Sequence, residues 1–140
     1  MNKIKVMLDE GAKMPTRAHS TDAGLDLYSR EDAVLFRHGS HCFDTGVHIE
    51  IPKGYVGILK SKSGLNRDFG VQSTGTIDCG YTGSIHVTLY NHGSGMVHIK
   101  AGQKITQLVI LPIITPELEV VDSLEETERG ANGFGSSGAF

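Results

Sequence analysis

The chain has 140 residues, 39% of them apolar and 21% charged, with a formal net charge of −3. That is one domain, long enough for a real core, with the balance of a soluble globular protein. It lacks the basic stripe that binding nucleic acid through phosphates requires, and no window approaches a membrane span.

The opening MNKIKVMLDEG has no apolar run of signal-peptide length, and its alternation puts Ile4, Val6 and Leu8 on one face of an expected strand. STDAGLDLYS, 20–29, is a polar cluster with Asp26 between two leucines. Taken alone, Asp26 reads as an outward-facing strand residue beside a glycine turn. Strands are expected at VLF, 34–36, and in GVHIEIP, where Val47, Ile49 and Ile51 oppose His48 and Glu50. After the Pro52-Lys53-Gly54 turn, GYVGIL continues the pattern. SGLNRDFG, 63–70, is the one stretch that offers a helical turn, with Ser63 as its expected N-cap. Lys60, Lys62, Ser63 and Gly64 together would bind an anion at free amide N–H groups, although an ordinary capped turn explains the same residues.

GTIDCGYTG, 75–83, sets Asp78 and Tyr81 among glycines. It reads as a hairpin whose Asp either holds the turn or does chemistry. In GSIHVTLYN, Ile85, Val87 and Leu89 point inward and Ser84, His86, Thr88 and Tyr90 outward. MVHI, 96–99, follows. In AGQKITQL, 101–108, Gln107 is polar inside an apolar run and needs a partner if buried. ITQLVILPII, 105–114, is nearly continuous in apolar residues, which implies a strand covered on both faces, the second face by another subunit. ELEVV, 117–121, is a last short strand candidate. The only composition shift falls near residue 125, which divides a β domain at 1–125 from a tail at 126–140. By composition RGANGFGSSGAF is a frayed end, yet it carries Arg129 and Phe134, each beside glycine.

Many short strands with glycine-rich turns indicate an all-β sandwich or jelly roll. The seven histidines show no ligand framework and read as surface residues. Cys42 and Cys79 fit a reduced compartment: the cytoplasm, the nucleus or the interior of an infected cell. Cys79 follows Asp78 but has no base to activate it, so it reads as a hairpin-packing thiol.

Five polar, glycine-rich clusters occur in order along residues 20 to 138. AGLDLYS, KSGL, GTIDCGYTG, AGQKITQL and RGANGFGSSG resemble the five motifs of the trimeric dUTPase family. Where the family usually has Arg, Asn and Thr, this chain has Lys62, Gln72 and Ser137, and Gly80 stands where an acidic residue is frequent. The resemblance implies a distorted, β-barrel-like jelly roll with one short helix and a flexible C-terminal arm.

It also implies Mg²⁺-dependent hydrolysis of dUTP to dUMP and pyrophosphate by a homotrimer with shared sites. That reaction keeps uracil out of DNA and supplies dUMP for thymidylate synthesis. Asp78 would activate the water. Lys62, Ser63, Gly64, Gln107, Arg129, Gly135, Ser136 and Ser137 would hold the phosphates. Gln72, Gly75, Thr76, Ile77, Tyr81 and Phe134 would frame uracil and deoxyribose, and Asp26 would reach Mg²⁺ through water. A dCTP deaminase of related fold would need a catalytic glutamate near the third motif and usually a longer chain. A non-catalytic nucleotide-binding protein would lack Asp78 or the Arg129/Phe134 tail. A purely structural jelly roll leaves the five clusters unexplained.

Overall fold

The structure is a computed structural model that describes residues 3–140, so the first two residues of the expected 1–125 domain lie outside it. In chain order the strands are β1 (Val6–Leu8), β2 (Gly24–Tyr28), β3 (Ala33–Leu35), β4 (Ser40–Asp44), β5 (Val47–Ile49) and β6 (Tyr55–Ser61). Helix α1 (Ser63–Phe69) comes next, then β7 (Val71–Ile77), β8 (His86–Asn91), β9 (Val97–Ile99) and β10 (Lys104–Pro112). Every pairing is antiparallel. A six-stranded sheet in the order β2-β10-β6-β7-β8-β4 is flanked by the two-stranded sheets β1-β5 and β3-β9. The fold is thus all-β with one short helix, a jelly-roll arrangement. Among the described residues no helix is long and apolar enough to cross a membrane.

The period-2 pattern works as physics requires, because alternate side chains leave opposite faces of a strand. Val47, Ile49 and Ile51, then Ile85, Val87 and Leu89, are all buried. They meet Leu27, Leu35, Phe43, Leu59, Ile99 and Leu108 in one core cluster. Each such side chain contributes about 1.5–3 kcal/mol when fully buried. Buried polar groups are all paired among the described residues. Asn91 shows how: its amide donates to the carbonyls of Leu35, Phe36 and Gly95, and its oxygen accepts from Gly93 N–H, pinning the β8–β9 loop to the end of β3.

Several expectations from pattern need correction. β2 was expected only as a possible strand around Asp26, and β4 and β7 were not expected at all; their polar alternation (SHCFD, VQSTGTI) masks half-buried strands. ELEVV forms no strand, and Leu118 and Val120 are fully exposed, because nothing among the described residues pairs with it. On β1, Ile4 and Val6 are half-buried but Leu8 is exposed. Helix α1 starts one residue earlier than expected. Its N-cap is Lys62, in extended conformation and without a side-chain cap bond, so Ser63 is the first helical residue instead of the cap. β10 is covered on both faces only over its first half: Ile105, Thr106 and Leu108 are buried, whereas Leu111, Ile113 and Ile114 stand open.

Candidate active site

Two groups of polar side chains are built by different parts of the sheet. The first lies where β2, β10 and the β6–α1 junction meet. Register pairs Gln107 with Asp26 on one side and with Lys60 on the other. Asp26 is not outward-facing as its sequence neighbours imply: it is buried, and its two carboxylate oxygens are taken by Lys62 Nζ at 2.5 Å and Lys104 Nζ at 2.8 Å. Burial works against the charged form of Asp26, but the hydrogen bonds from Lys104 and Lys62 and their charges outweigh it. The carboxyl is held below its ordinary range. The same contact holds Lys104 above the usual range for lysine.

Gln107 finds the partner that burial demands, donating from Nε2 to the Ser61 carbonyl at 3.1 Å. Gly24 makes this possible, because a Cβ there would run into the Gln107 side chain. Beneath them Ser73 and Thr106 share a buried hydroxyl bond of 2.8 Å, and Thr106 also donates to the Lys60 carbonyl. Ser63 and Gly64 are exposed on the first turn of α1. Lys104, which sits inside AGQKITQL, belongs to this corner although pattern reading singled out only Gln107; its register partner is Tyr28, and its long side chain reaches Asp26 past an irregularity in the β2–β10 ladder that no local pattern shows.

The second group is the β7–β8 connection. Thr76, Ile77, Asp78, Tyr81 and His86 line a cleft of about 230 Å³. Tyr81 N–H closes the turn on the Asp78 carbonyl at 3.1 Å, Gly80 takes the positive φ of 91° that the turn needs, and Tyr81 Oη donates to the Ser84 carbonyl at 2.8 Å. The Asp78 side chain is exposed and makes no hydrogen bond or ion pair among the described residues. It does not hold the turn; its backbone does. Cys79 is exposed in the turn beyond the end of β7, so it does not pack the hairpin as expected. His86 is exposed as expected and lines the cleft, whereas His41 and His48 are half-buried and depart from the surface reading of the histidines. Gly75 lies within β7 beside Leu59. Gln72 sits on the same outer face of β7 as Thr76 but nearer the other end of the strand, paired with His92 at 3.1 Å.

These groups do not meet on one chain. Ile77 pairs with Gly57, so Asp78 and Lys62 lie at opposite ends of the β6–β7 ladder. At about 3.3 Å per residue that separation is on the order of 20 Å. The tail adds a third, separate region. Arg129, Ser136 and Ser137 line one open hollow with Thr127, Glu128 and Asn132. Arg129 Nε donates to the Asn132 carbonyl, Gly135 takes a positive φ, and Phe134 is fully exposed. Among the described residues the tail makes no hydrogen bond to the body; the last bond before it that ties the chain down is Ile113 N–H to the Gly54 carbonyl.

For a metal, no group of three or more His, Cys, Asp or Glu side chains gathers among the described residues. Both oxygens of Asp26 are engaged by lysines, so it would meet a Mg²⁺ that keeps its waters and takes its other oxygens from phosphates only through water.

A cationic corner for anions and an unengaged carboxylate on a tight, glycine-flanked turn are the parts of a phosphoanhydride hydrolase on an all-β scaffold. The dUTPase family model matches residues 10–138. The deoxyuridine 5'-triphosphate nucleotidohydrolase of Clostridium tetani is 44% identical, over 97% of this chain and 95% of its own length. That of Kluyveromyces lactis is 38% identical over 98% and 95%. Among solved structures, the dUTPase of Staphylococcus bacteriophage 80alpha with dUPNHPP is similar with a TM-score of 0.92 at 37% identity, covering 99% of both chains. The chain belongs to the dUTPase family and is an enzyme of it.

Proposed function

We propose that this protein hydrolyses dUTP to dUMP and pyrophosphate with Mg²⁺, in a homotrimer whose sites are each shared between chains. The observation that carries the reading is the Asp78 carboxylate, free of protein partners among the described residues, in a cleft with Thr76, Ile77 and Tyr81. In that cleft Asp78 orients a water and takes its proton as the water oxygen attacks the α-phosphorus. The bond to the bridging oxygen breaks and pyrophosphate leaves with its electron pair. Main-chain groups of 75–81 pair with the uracil edge, and Tyr81 packs under the deoxyribose where a 2′-hydroxyl would need room.

The phosphates are held by Lys62, Ser63, Gly64 and Gln107, joined by Arg129 and the Gly135, Ser136 and Ser137 region of the tail. Phe134 closes over the base. Asp26 would hold the water shell of a Mg²⁺ ion, which would supply charge neutralisation at the phosphates. Sharing between chains follows from the ~20 Å between Lys62 and Asp78, since groups acting on one phosphate chain must lie within a few ångströms of it. The open apolar end of β10 at Leu111, Ile113 and Ile114, and the unpaired 117–121 segment, give neighbouring chains a surface to cover. Two relatives support the substrate and the metal. One is the 80alpha enzyme solved with dUPNHPP; the other is a mutant dUTPase from phage phi11 of S. aureus, described with a structural Mg(II) ion (TM-score 0.83, 35% identity).

Pyrophosphate release from dUTP, dCTP, dTTP and UTP, assayed in parallel with and without Mg²⁺, tests the proposal. Turnover of dUTP well above the other three is expected, and ammonia release from dCTP in its place would favour the deaminase reading.

A further inference from the structure

The segment that carries Asp78 and Tyr81 is held to the body by very little. From residue 84 onward the chain is anchored: Ser84 Oγ donates to Asp44, Ile85 N–H donates to the Val47 carbonyl, and the Ile85 carbonyl accepts from both N–H and Oγ1 of Thr45. Before residue 78 it is anchored by the β6–β7 ladder. Across 78–83, among the described residues, a single hydrogen bond reaches another element: His48 Nδ1 on β5 to the Thr82 carbonyl, at 2.7 Å. The other nitrogen of that ring, Nε2, lies 3.0 Å from Asp9 Oδ1 at the end of β1. Asp9 is itself fixed, its N–H donating to the Gly46 carbonyl.

Both partners of the ring are acceptors. A carbonyl oxygen can only accept, and so can an ionised carboxylate, whereas a neutral imidazole carries one N–H. The two bonds therefore coexist only when both ring nitrogens are protonated. The ring is 18% exposed, and the charged or titratable groups around it are few. Asp9 faces it from the end of β1 and Asp44 from β4, where Asp44 also engages Arg30 at 2.9 Å and His86 at 3.9 Å. Lys5 and Glu50 line the same hollow but pair with each other.

We propose that His48 is a positioning residue for catalysis: as an imidazolium it ties the Thr82 carbonyl to Asp9 and so fixes the hairpin that presents Asp78 and Tyr81. This rests on the reading of that hairpin as the nucleotide-binding element. The Thr82 bond first, then the Asp9 bond and the charges of Asp9 and Asp44, hold His48 above its ordinary value against the effect of burial. The tie is complete below the ordinary histidine value of 6.5, and as pH rises through the elevated His48 value the neutral ring keeps one N–H, so one of the two arms is lost and the link from Thr82 to Asp9 is broken.

Three variants of the full-length enzyme test this. His48→Ala removes both arms, Asp9→Ala removes one, and His48→Asn keeps a donor to Thr82 that cannot titrate. In His48→Ala the KM for dUTP should rise about fivefold, the scale of one lost hydrogen bond, with kcat falling less. Amide exchange should accelerate in 79–83 and stay unchanged in 86–91. Wild-type KM should increase as pH rises through the elevated His48 value. His48→Asn should restore most of the binding at neutral pH and abolish that increase, and Asp9→Ala should flatten it too. Wild-type exchange in 79–83 of His48→Ala would overturn the tie, as would an unchanged pH profile in His48→Asn. Since exchange is read without substrate, it judges the tie even if dUTP is not hydrolysed, an outcome that would remove the functional reading alone.

Discussion

Asp26 and Asp78 are both aspartates at the margins of the six-stranded sheet, and the fold treats them in opposite ways. Asp26 is 4% exposed and clamped by two ammonium groups; Asp78 is exposed and clamped by nothing among the described residues. A buried carboxylate can stay charged only with partners, so Lys62 and Lys104 are a condition of its place in the fold. A carboxylate meant to take a proton from water must keep its lone pairs free, and the glycine-flanked turn provides this by closing through backbone bonds alone. Structural dependence thus falls on Asp26, and the availability that the proposed chemistry needs falls on Asp78, about 20 Å away by strand register and spacing.

The comparison is broken hardest at Asp78. Asp78→Asn should lower kcat by about 10² or more while binding of a non-hydrolysable dUTP analogue, read by calorimetry, and melting temperature stay near wild type. Mixing that variant with Lys62→Ala should restore part of the lost turnover after subunit exchange, because some sites then draw Asp78 from one chain and Lys62 from another. Mixtures no more active than their parts would confine the site to one chain.

Truncation after Glu128 comes next. It should leave the melting temperature unchanged, since the tail has no partner on the body among the described residues, and lower kcat/KM sharply, by about tenfold or more if Arg129 contributes a charge-assisted phosphate contact. Asp26→Ala, unlike Asp78→Asn, should cost stability as well as Mg²⁺-dependent turnover. It leaves Lys62 and Lys104 facing each other without their counterion and should cost about 2 kcal/mol in denaturant unfolding, tempered because both lysines can turn toward solvent.

The smallest effect is in acid. The depressed Asp26 carboxyl contributes stability that is fully present above the unfolded-chain value of 3.8 and is lost as pH falls through the lower folded value. Wild type should therefore lose stability below about pH 4 more steeply than Asp26→Asn, in parallel acid titrations followed by circular dichroism.

Alternation was legible wherever a strand has one wet face. That is why Val47, Ile49 and Ile51, and Ile85, Val87 and Leu89, could be placed in the core from their spacing alone. The same rule was blind to β4 and β7, whose core faces include His41 and Ser73 and whose outer faces carry Ser40, Cys42, Gln72, Thr74 and Thr76; there, cross-strand pairing fixes the conformation that hydrophobicity does not. It also mistook ELEVV for a strand, since alternation supplies a face but no neighbour to pair with. The polar clusters could be located by composition, because glycine beside one or two charged or hydroxyl groups is costly in a plain strand and rarely placed there without a use. The family motifs followed from their order.

Sequence by itself therefore determined the fold class, the set of candidate residues and the family, since all three depend on local spacing and motif order. Tertiary structure alone decided the burial of Asp26, the entry of Lys104 into its corner, the freedom of Asp78, and the contact of His48 with Thr82 across 34 positions of chain. Each of these depends on strand register and order, and those are set by summed long-range packing that no short window of residues contains.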